Sequence, residues 1–349
     1  MYDSGARVAH FVGSFPAGST EEAMRAILDG AGSRLFSLPT GETGRYEWYI
    51  TPIIEDLVAQ GVLEVKRHGT ARSSRERTIH RVPDGVELTG EAMELGYRRE
   101  AEEALPLFRR FRAERDLPGL ALQIGMPTDF TLAFIALGPG GIRAHRAAFR
   151  DATVRDIAAI RAAAGDDVVV QLEATAEMIS MVKARPLHRI ADAAVGLGKN
   201  IAALAAAAPS GTRFGVHLCL GSMNNRSRAI PRDARPLVDL ANSVVRQWPS
   251  GRPLEYLHGP LAAGAVPPAT DARFYAPLRE LDLPPGTRFI AGCVHETPSW
   301  TAQLDTLRMI EDALGRPVDG VASACGLGRR PRTVADAMVA RAAALCVAP

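Results

Sequence analysis

Residues 213–225 read RFGVHLCLGSMNN, an apolar run that ends in a histidine and a cysteine two positions apart, just before a glycine and a polar loop. Successive side chains of a β-strand point to opposite faces, so His217 and Cys219 share one face at the strand's exit. An imidazole and a thiol placed this way form half of a zinc site. Two later segments offer the rest: PLEYLHGP from position 253, with Glu255 inside an apolar run, and VASACGLGRR from 321, with Cys325 at the end of another. A carboxylate inside such a run is costly unless a cation or hydrogen-bonded partner meets it, which adds Glu255 to the set. The expected metal ligands are His217, Cys219, Glu255 and Cys325.

Outward from this stretch the same rhythm recurs. RVAHFVG (7–13), RLFSLPTGE (34–42), LALQIGMP (120–127), DVVVQLEAT (167–175), RPLEYLHG (252–259), TRFIAGCVH (287–295) and VDGVASACG (318–326) each read as a buried strand followed by helical sequence. Thr20 is a candidate helix cap, and DARFYAPLREL (271–281) reads as a helix. Near-continuous apolar strands are expected where both faces of a parallel sheet are covered. Eight strand–helix units predict a (β/α)8 TIM barrel, and no Gly-x-Gly-x-x-Gly turn supports a doubly wound sheet instead. The 349 residues are read as a single catalytic domain, since barrels of about 250 residues often carry insertions. The insertion here is a hairpin and helix near residues 60–115: VLEVKRHG and RTIHRVP alternate as hairpin strands, and ELGYRREAEEALPLFRRFRAER is an amphipathic helix. The hairpin is expected over the barrel mouth, with the charge run SSRERTIHR most simply a solvated loop, or alternatively a basic patch for an anionic substrate or cofactor tail.

Composition narrows the function. With 47% hydrophobic and 23% charged residues and a net charge of +2, the chain gives no electrostatic reason to expect nucleic acid or an anionic membrane as partner. No basic start with a long apolar run opens the chain, and IAALAAAAP is too short to span a bilayer. A cytoplasmic location is expected, so the four cysteines read as thiols or metal ligands rather than disulfides. Cys293 and Cys346 read as small buried hydrophobes.

A barrel carries its active site at the C-terminal strand ends. Those ends are expected to hold Ser14, Glu42, Met126 with Thr128, Glu173, His217 with Cys219, Glu255, His295 and Cys325, and few of these suit a packed interior. The order VGSFP (12–16), GETGR (41–45), QLE (171–173), HLC (217–219), LEYLH (254–258) and CGLGRR (325–330) resembles the catalytic barrel of cobalamin-independent methionine synthase. The same superfamily holds uroporphyrinogen decarboxylase and the zinc-dependent alkyl transferases that use coenzyme M. The resemblance covers nearly the whole chain.

It implies Zn2+ on His217, Cys219, Glu255 and Cys325, and a pocket of Ser14, Glu42 and Glu173 for the amino-acid part of homocysteine. It further implies a late catalytic histidine, here His295 if a short gap in CVHETPS is allowed. Three departures stand out. Leu172-Glu173-Ala174-Thr175 replaces an Ile-Asp-Glu-Pro, GMPTDFTLAF (125–134) replaces the tryptophan segment on which folate stacks, and a second, N-terminal barrel is not expected. The expected function is zinc-dependent transfer of an alkyl, most simply methyl, group to a small-molecule thiol such as homocysteine. The donor is expected to be a methylcorrinoid, free or on a corrinoid protein, or a small electrophile, rather than folate. A metal-independent decarboxylase or lyase on the same barrel, and a non-catalytic thiol or corrinoid-protein binding homologue, are the alternatives.

Overall fold

The structure, a computed structural model, describes residues 7–48, 50–69 and 78–349. Ten strands appear in chain order: β1 (Val8–Ala9), β2 (Ser37–Pro39), β3 (Glu64–Arg67), β4 (Ile79–Arg81), β5 (Ala121–Pro127), β6 (Val168–Ala174), β7 (Phe214–Leu218), β8 (Leu254–Pro260), β9 (Arg288–Val294) and β10 (Gly320–Ser323). Eight of them form one parallel sheet in the order β1-β10-β9-β8-β7-β6-β5-β2. A parallel bridge between Ala9 and Leu35 joins its two outer strands, so the sheet curls into a TIM-type barrel with helices outside. The expected barrel and all eight expected strands are there. β3 and β4 pair antiparallel as the expected inserted hairpin, which packs against the helix Asp129–Leu137 that follows β5. Most of the charge run expected as a solvated loop lies outside the described residues.

Two local expectations change. Ser19, not Thr20, caps the first helix, its hydroxyl accepting from the Glu22 amide. The segment expected as a helix at 271–281 forms two short 3-10 turns, Ala272–Phe274 and Ala276–Glu280. Pro277 would fall in the interior of a helix over 271–281, where it has no amide to donate and its ring clashes with the preceding turn; at the start of the second short turn its missing amide costs nothing. The stretch His188–Ala207 has the length and apolarity of a membrane span. Gly196, at φ 71°, breaks it into two helices of the barrel's outer layer.

The barrel interior is layered. Val8, Phe36, Ala121, Val169, Tyr256, Ile290 and Ala322 form an apolar plug near the N-terminal end. Above it lies a polar layer that a packed core would not choose: His10, Gln123, Gln171 and the Tyr256 hydroxyl, all buried. Tyr256 Oη donates to Gln171 Oε1 at 3.0 Å, and Gln123 Nε2 donates to the Phe11 and Val12 carbonyls at 3.0 and 2.8 Å. These bonds satisfy both glutamines and the tyrosine hydroxyl, and His10 Nε2 lies 3.2 Å from Gln171 Oε1 while its Nδ1 has no partner. The result is a rigid floor that pins the β1 exit, where Gly13 and Ser14 begin the functional face.

Candidate active site

The barrel's C-terminal ends bring three of the four expected ligands together. A ring nitrogen of His217, Cys219 Sγ and Cys325 Sγ lie within 4.8 Å of one another, the one such His/Cys/Asp/Glu cluster among the described residues. The two cysteines leave β7 and β10, which two strands separate, and meet across the mouth with their sulfurs 3.7 Å apart and unbonded. The Gly221 amide donates to Cys219 Sγ at 3.3 Å, and Ser222 Oγ lies 3.1 Å from Cys325 Sγ. A hydrogen bond from Cys219, helped by the nearby His217 and by Ser222, holds the Cys325 thiol well below the usual thiol range. Sharing that hydrogen bond, and then burial, pushes Cys219 up.

His217 is oriented by a residue that sequence reasoning did not single out. His258 lies beside it in register on β8, its Nδ1 2.6 Å from His217 Nδ1, while its Nε2 is 3.0 Å from the Ser323 carbonyl oxygen. A carbonyl only accepts, so His258 Nε2 carries a hydrogen. Burial, reinforced by the neighbouring His217 and His10, keeps His258 neutral well below the usual histidine range, which leaves its Nδ1 a lone pair. The hydrogen between the two Nδ1 atoms therefore belongs to His217. Its Nε2, buried and without a hydrogen-bond partner, is left as a lone pair at the cluster. A histidine ligand commonly has its tautomer fixed by such an outer bond. One imidazole nitrogen and two sulfurs, with an orphaned buried nitrogen among them, fit zinc, whose catalytic sites use three protein ligands and leave a fourth position open.

Glu255 is not brought to this cluster. The ladder passes from Phe214 opposite Leu254 to Gly215 opposite Tyr256, so Glu255 is the extra residue of a bulge near the start of β8. There it forms a two-pronged ion pair with Arg213, whose Nη2 donates to Oε2 at 3.1 Å. The expected buried charge is real, but its cation is an arginine at the opposite end of the strand from the sulfurs. With side chains 24% and 16% exposed, this pair is mostly shielded from water. Glu255→Gln should therefore cost about 3 kcal/mol of stability by leaving Arg213 half-paired while metal content stays unchanged. Urea unfolding and metal analysis of the same preparation check both halves.

The second group of expected residues does converge. An added Cβ at Gly13 would lie 2.0 Å from Glu42 Oε1, and one at Gly125 would lie 2.7 Å from Glu173 Oε1 and 3.7 Å from Glu42 Oε1. Both carboxylates thus reach into one space that the two glycines keep open. Glu42 has φ 48°, an uncommon backbone state for a residue with a side chain, of the kind found at functional sites. Burial, then the charges of Glu173 and Glu100, raise the Glu42 carboxyl well above its ordinary range. Glu100, which accepts from Thr40 Oγ1 at 2.6 Å, is pushed up to about 7 by burial. A cation entering among these acids would relieve that repulsion, and an ammonium group is the simplest one. Ser14 closes the space: its carbonyl accepts from the Leu327 and Gly328 amides at 2.7 and 3.0 Å, tying it to the Cys325 loop.

His295 sits just past β9, and the structure commits both of its ring nitrogens. Nε2 donates to the Gly264 carbonyl at 3.1 Å, and Nδ1 accepts from the Thr297 amide at 3.1 Å. Burial lowers its pKa. It braces the loop after β8, and a role as proton donor would require one of these bonds to open.

No protein-family model matches this chain, and none of the curated proteins matches it either. Its fold is shared with solved structures over nearly the full length of each chain. A B12-independent methionine synthase from Shewanella sp. W3-18-1, solved in complex with selenomethionine, is 12% identical with a TM-score of 0.62, covering 98% of this chain and 97% of that one. A methyltransferase from Methanosarcina mazei is 14% identical with a TM-score of 0.53 over 98% and 95%. A putative vitamin-B12-independent methionine synthase from Listeria monocytogenes is 12% identical with a TM-score of 0.51 over 99% and 98%. The chain is therefore a TIM-barrel protein with the fold of B12-independent methionine synthases.

Proposed function

We propose that this protein is a zinc-dependent transferase that moves an alkyl group, most simply methyl, onto the sulfur of a small thiol such as homocysteine. The observation that carries the reading is the convergence of His217 Nε2, Cys219 and Cys325 at the barrel mouth, beside the space shared by Glu42 and Glu173. Zinc bound there would hold a substrate thiol as its nucleophilic thiolate at neutral pH. The chain's own residues bind and orient. Glu42 and Glu173 take the substrate's ammonium group, Ser14 closes the pocket, and the buried floor of His10, Gln123 and Gln171 keeps the strand ends fixed. In the transfer, a sulfur lone pair forms the new S–C bond as the bond from carbon to the donor breaks and its electron pair leaves with the donor. The unbonded sulfurs of Cys219 and Cys325 fit a reducing, cytoplasmic setting.

The donor in this reading is a methylcorrinoid, free or protein-borne, or another activated alkyl compound. After β5 the chain turns directly into the helix Asp129–Leu137, capped by Thr128, and Thr128 and Thr131 both donate to Glu177 at 2.5 and 2.7 Å. This segment carries no tryptophan on which a pterin could stack, and binding of remote groups is what makes an unreactive methyl transferable. Zinc-loaded protein with homocysteine should turn over methylcobalamin and leave methyltetrahydrofolate nearly untouched at matched concentration. Efficient turnover with the folate alone would overturn the donor, and no zinc-dependent alkylation with any donor would overturn the function.

A further inference from the structure

Two adjacent arginines end the Cys-Gly-Leu-Gly-Arg-Arg segment, and only one of them is spent on the fold. Arg330 is buried, with Nε 3.1 Å from Glu296 Oε2 and Nη2 donating toward the Gly264 carbonyl at 3.4 Å. Arg329 has no ion pair among the described residues, and its Nε is buried without a hydrogen-bond partner. Its guanidinium lies over the face of Trp48, 4.3 Å from the guanidinium carbon to the ring centroid. Arginine stacked on an aromatic ring is held in place while its N–H fork stays free.

That fork borders a cavity of about 60 Å³ whose walls include Ser14, Glu42, Thr43, Gly328 and Arg329. The same cavity has two carboxylates, Glu42 and Glu47, and a guanidinium on its walls, and Arg329 forms a salt bridge with neither of them. The Arg329 charge is felt at Glu42, although the two form no salt bridge. They stand apart, as two ends of a bound zwitterion would need them to. A planar guanidinium with unspent donors is suited to a carboxylate, which it can grip with two parallel hydrogen bonds.

We propose that Arg329 selects the substrate by binding its carboxylate, so that the site prefers thiols carrying a carboxylate beside the ammonium over thiols carrying the ammonium alone. This rests on the thiol-transfer reading for what lies at the far end of the substrate, but the recognition of the head group does not depend on catalysis. Trp48 holds the guanidinium flat, and Gly328 leaves room for the carboxylate between it and Ser14, whose side chain an added Cβ at Gly328 would approach to 2.8 Å.

Calorimetric titration of the zinc-supplied full chain under reducing conditions tests this with two probes, L-homocysteine and its decarboxylated counterpart 3-aminopropane-1-thiol. Arg329→Gln should weaken L-homocysteine by about 10–100-fold, the range for losing a charge-assisted hydrogen-bonded pair, and change the decarboxylated thiol by less than about 3-fold, within the spread of a near-neutral surface substitution. Arg329→Lys should recover part of the loss, because it restores the charge without the fork. A thermal melt of each variant shows that the fold is intact. Equal losses for both probes, or failure of the wild type to prefer L-homocysteine, would overturn the proposal. If the preference and its loss appear as expected but no donor alkylates the thiol, the head-group assignment stands and the transferase reading falls.

Discussion

Cys219→Ser and Cys325→Ser should each reduce bound zinc from one per chain to a small fraction, measured by elemental analysis after dialysis against a weak chelator. Each change removes one of two sulfur donors from a three-donor set, and a serine hydroxyl does not ionise at neutral pH to replace a thiolate. The loss should exceed the roughly 10–100-fold that follows removal of an outer hydrogen bond to a ligand. Two controls isolate the effect. Cys346→Ser should leave occupancy unchanged, because its sulfur donates to the Ala342 carbonyl in the last helix and burial pushes its thiol up to about 12. Cys293→Ser tests another buried thiol, in β9, that also has no place in the cluster. Wild-type protein that stays metal-free after zinc is supplied under reducing conditions would remove the basis of the whole reading.

The barrel was legible because a parallel sheet covered on both faces writes each strand as an uninterrupted apolar run, and eight such runs leave few other architectures. The sulfurs and His217 were legible for a related reason: a polar or metal-binding side chain at the end of such a run has no packing role to explain it. Glu255 obeyed the same rule and was misplaced, since the bulge that turns it toward Arg213 depends on how β7 and β8 pair. His258, three residues further along β8, shares the inner face with Tyr256, but a histidine in an apolar strand carries no sequence mark that separates an orienting role from a packed one. Strand-end position was also not enough for His295, whose ring nitrogens are taken up by backbone groups of two separate loops. Arg329 could not be distinguished from Arg330 by sequence, because what sets it apart is that it forms no ion pair among the described residues, a property of the folded chain. The failed helix at 271–281 was the most local error, and Pro277 was its warning.

Removing His258 should weaken zinc binding without removing a ligand. His217 is useful to a metal only if its Nε2 offers a lone pair, and that depends on its hydrogen staying on Nδ1, facing His258. His258→Leu deletes the acceptor, leaves the His217 ring free to rotate or to change tautomer, and should lower zinc affinity by about 10–100-fold in chelator competition. The fold should survive, since an apolar side chain of similar size replaces a buried neutral ring. His258→Gln, whose carbonyl can still accept from Nδ1, should recover much of the affinity. Cobalt substitution supplies a second readout: the thiolate-to-metal bands of the cobalt protein should persist in His258→Leu and weaken in Cys325→Ser. An unchanged zinc affinity in His258→Leu would sink the orienting role. A loss as large as that of Cys325→Ser, with an altered cobalt spectrum, would instead make His258 a ligand itself, taking the fourth position for which Glu255 was expected.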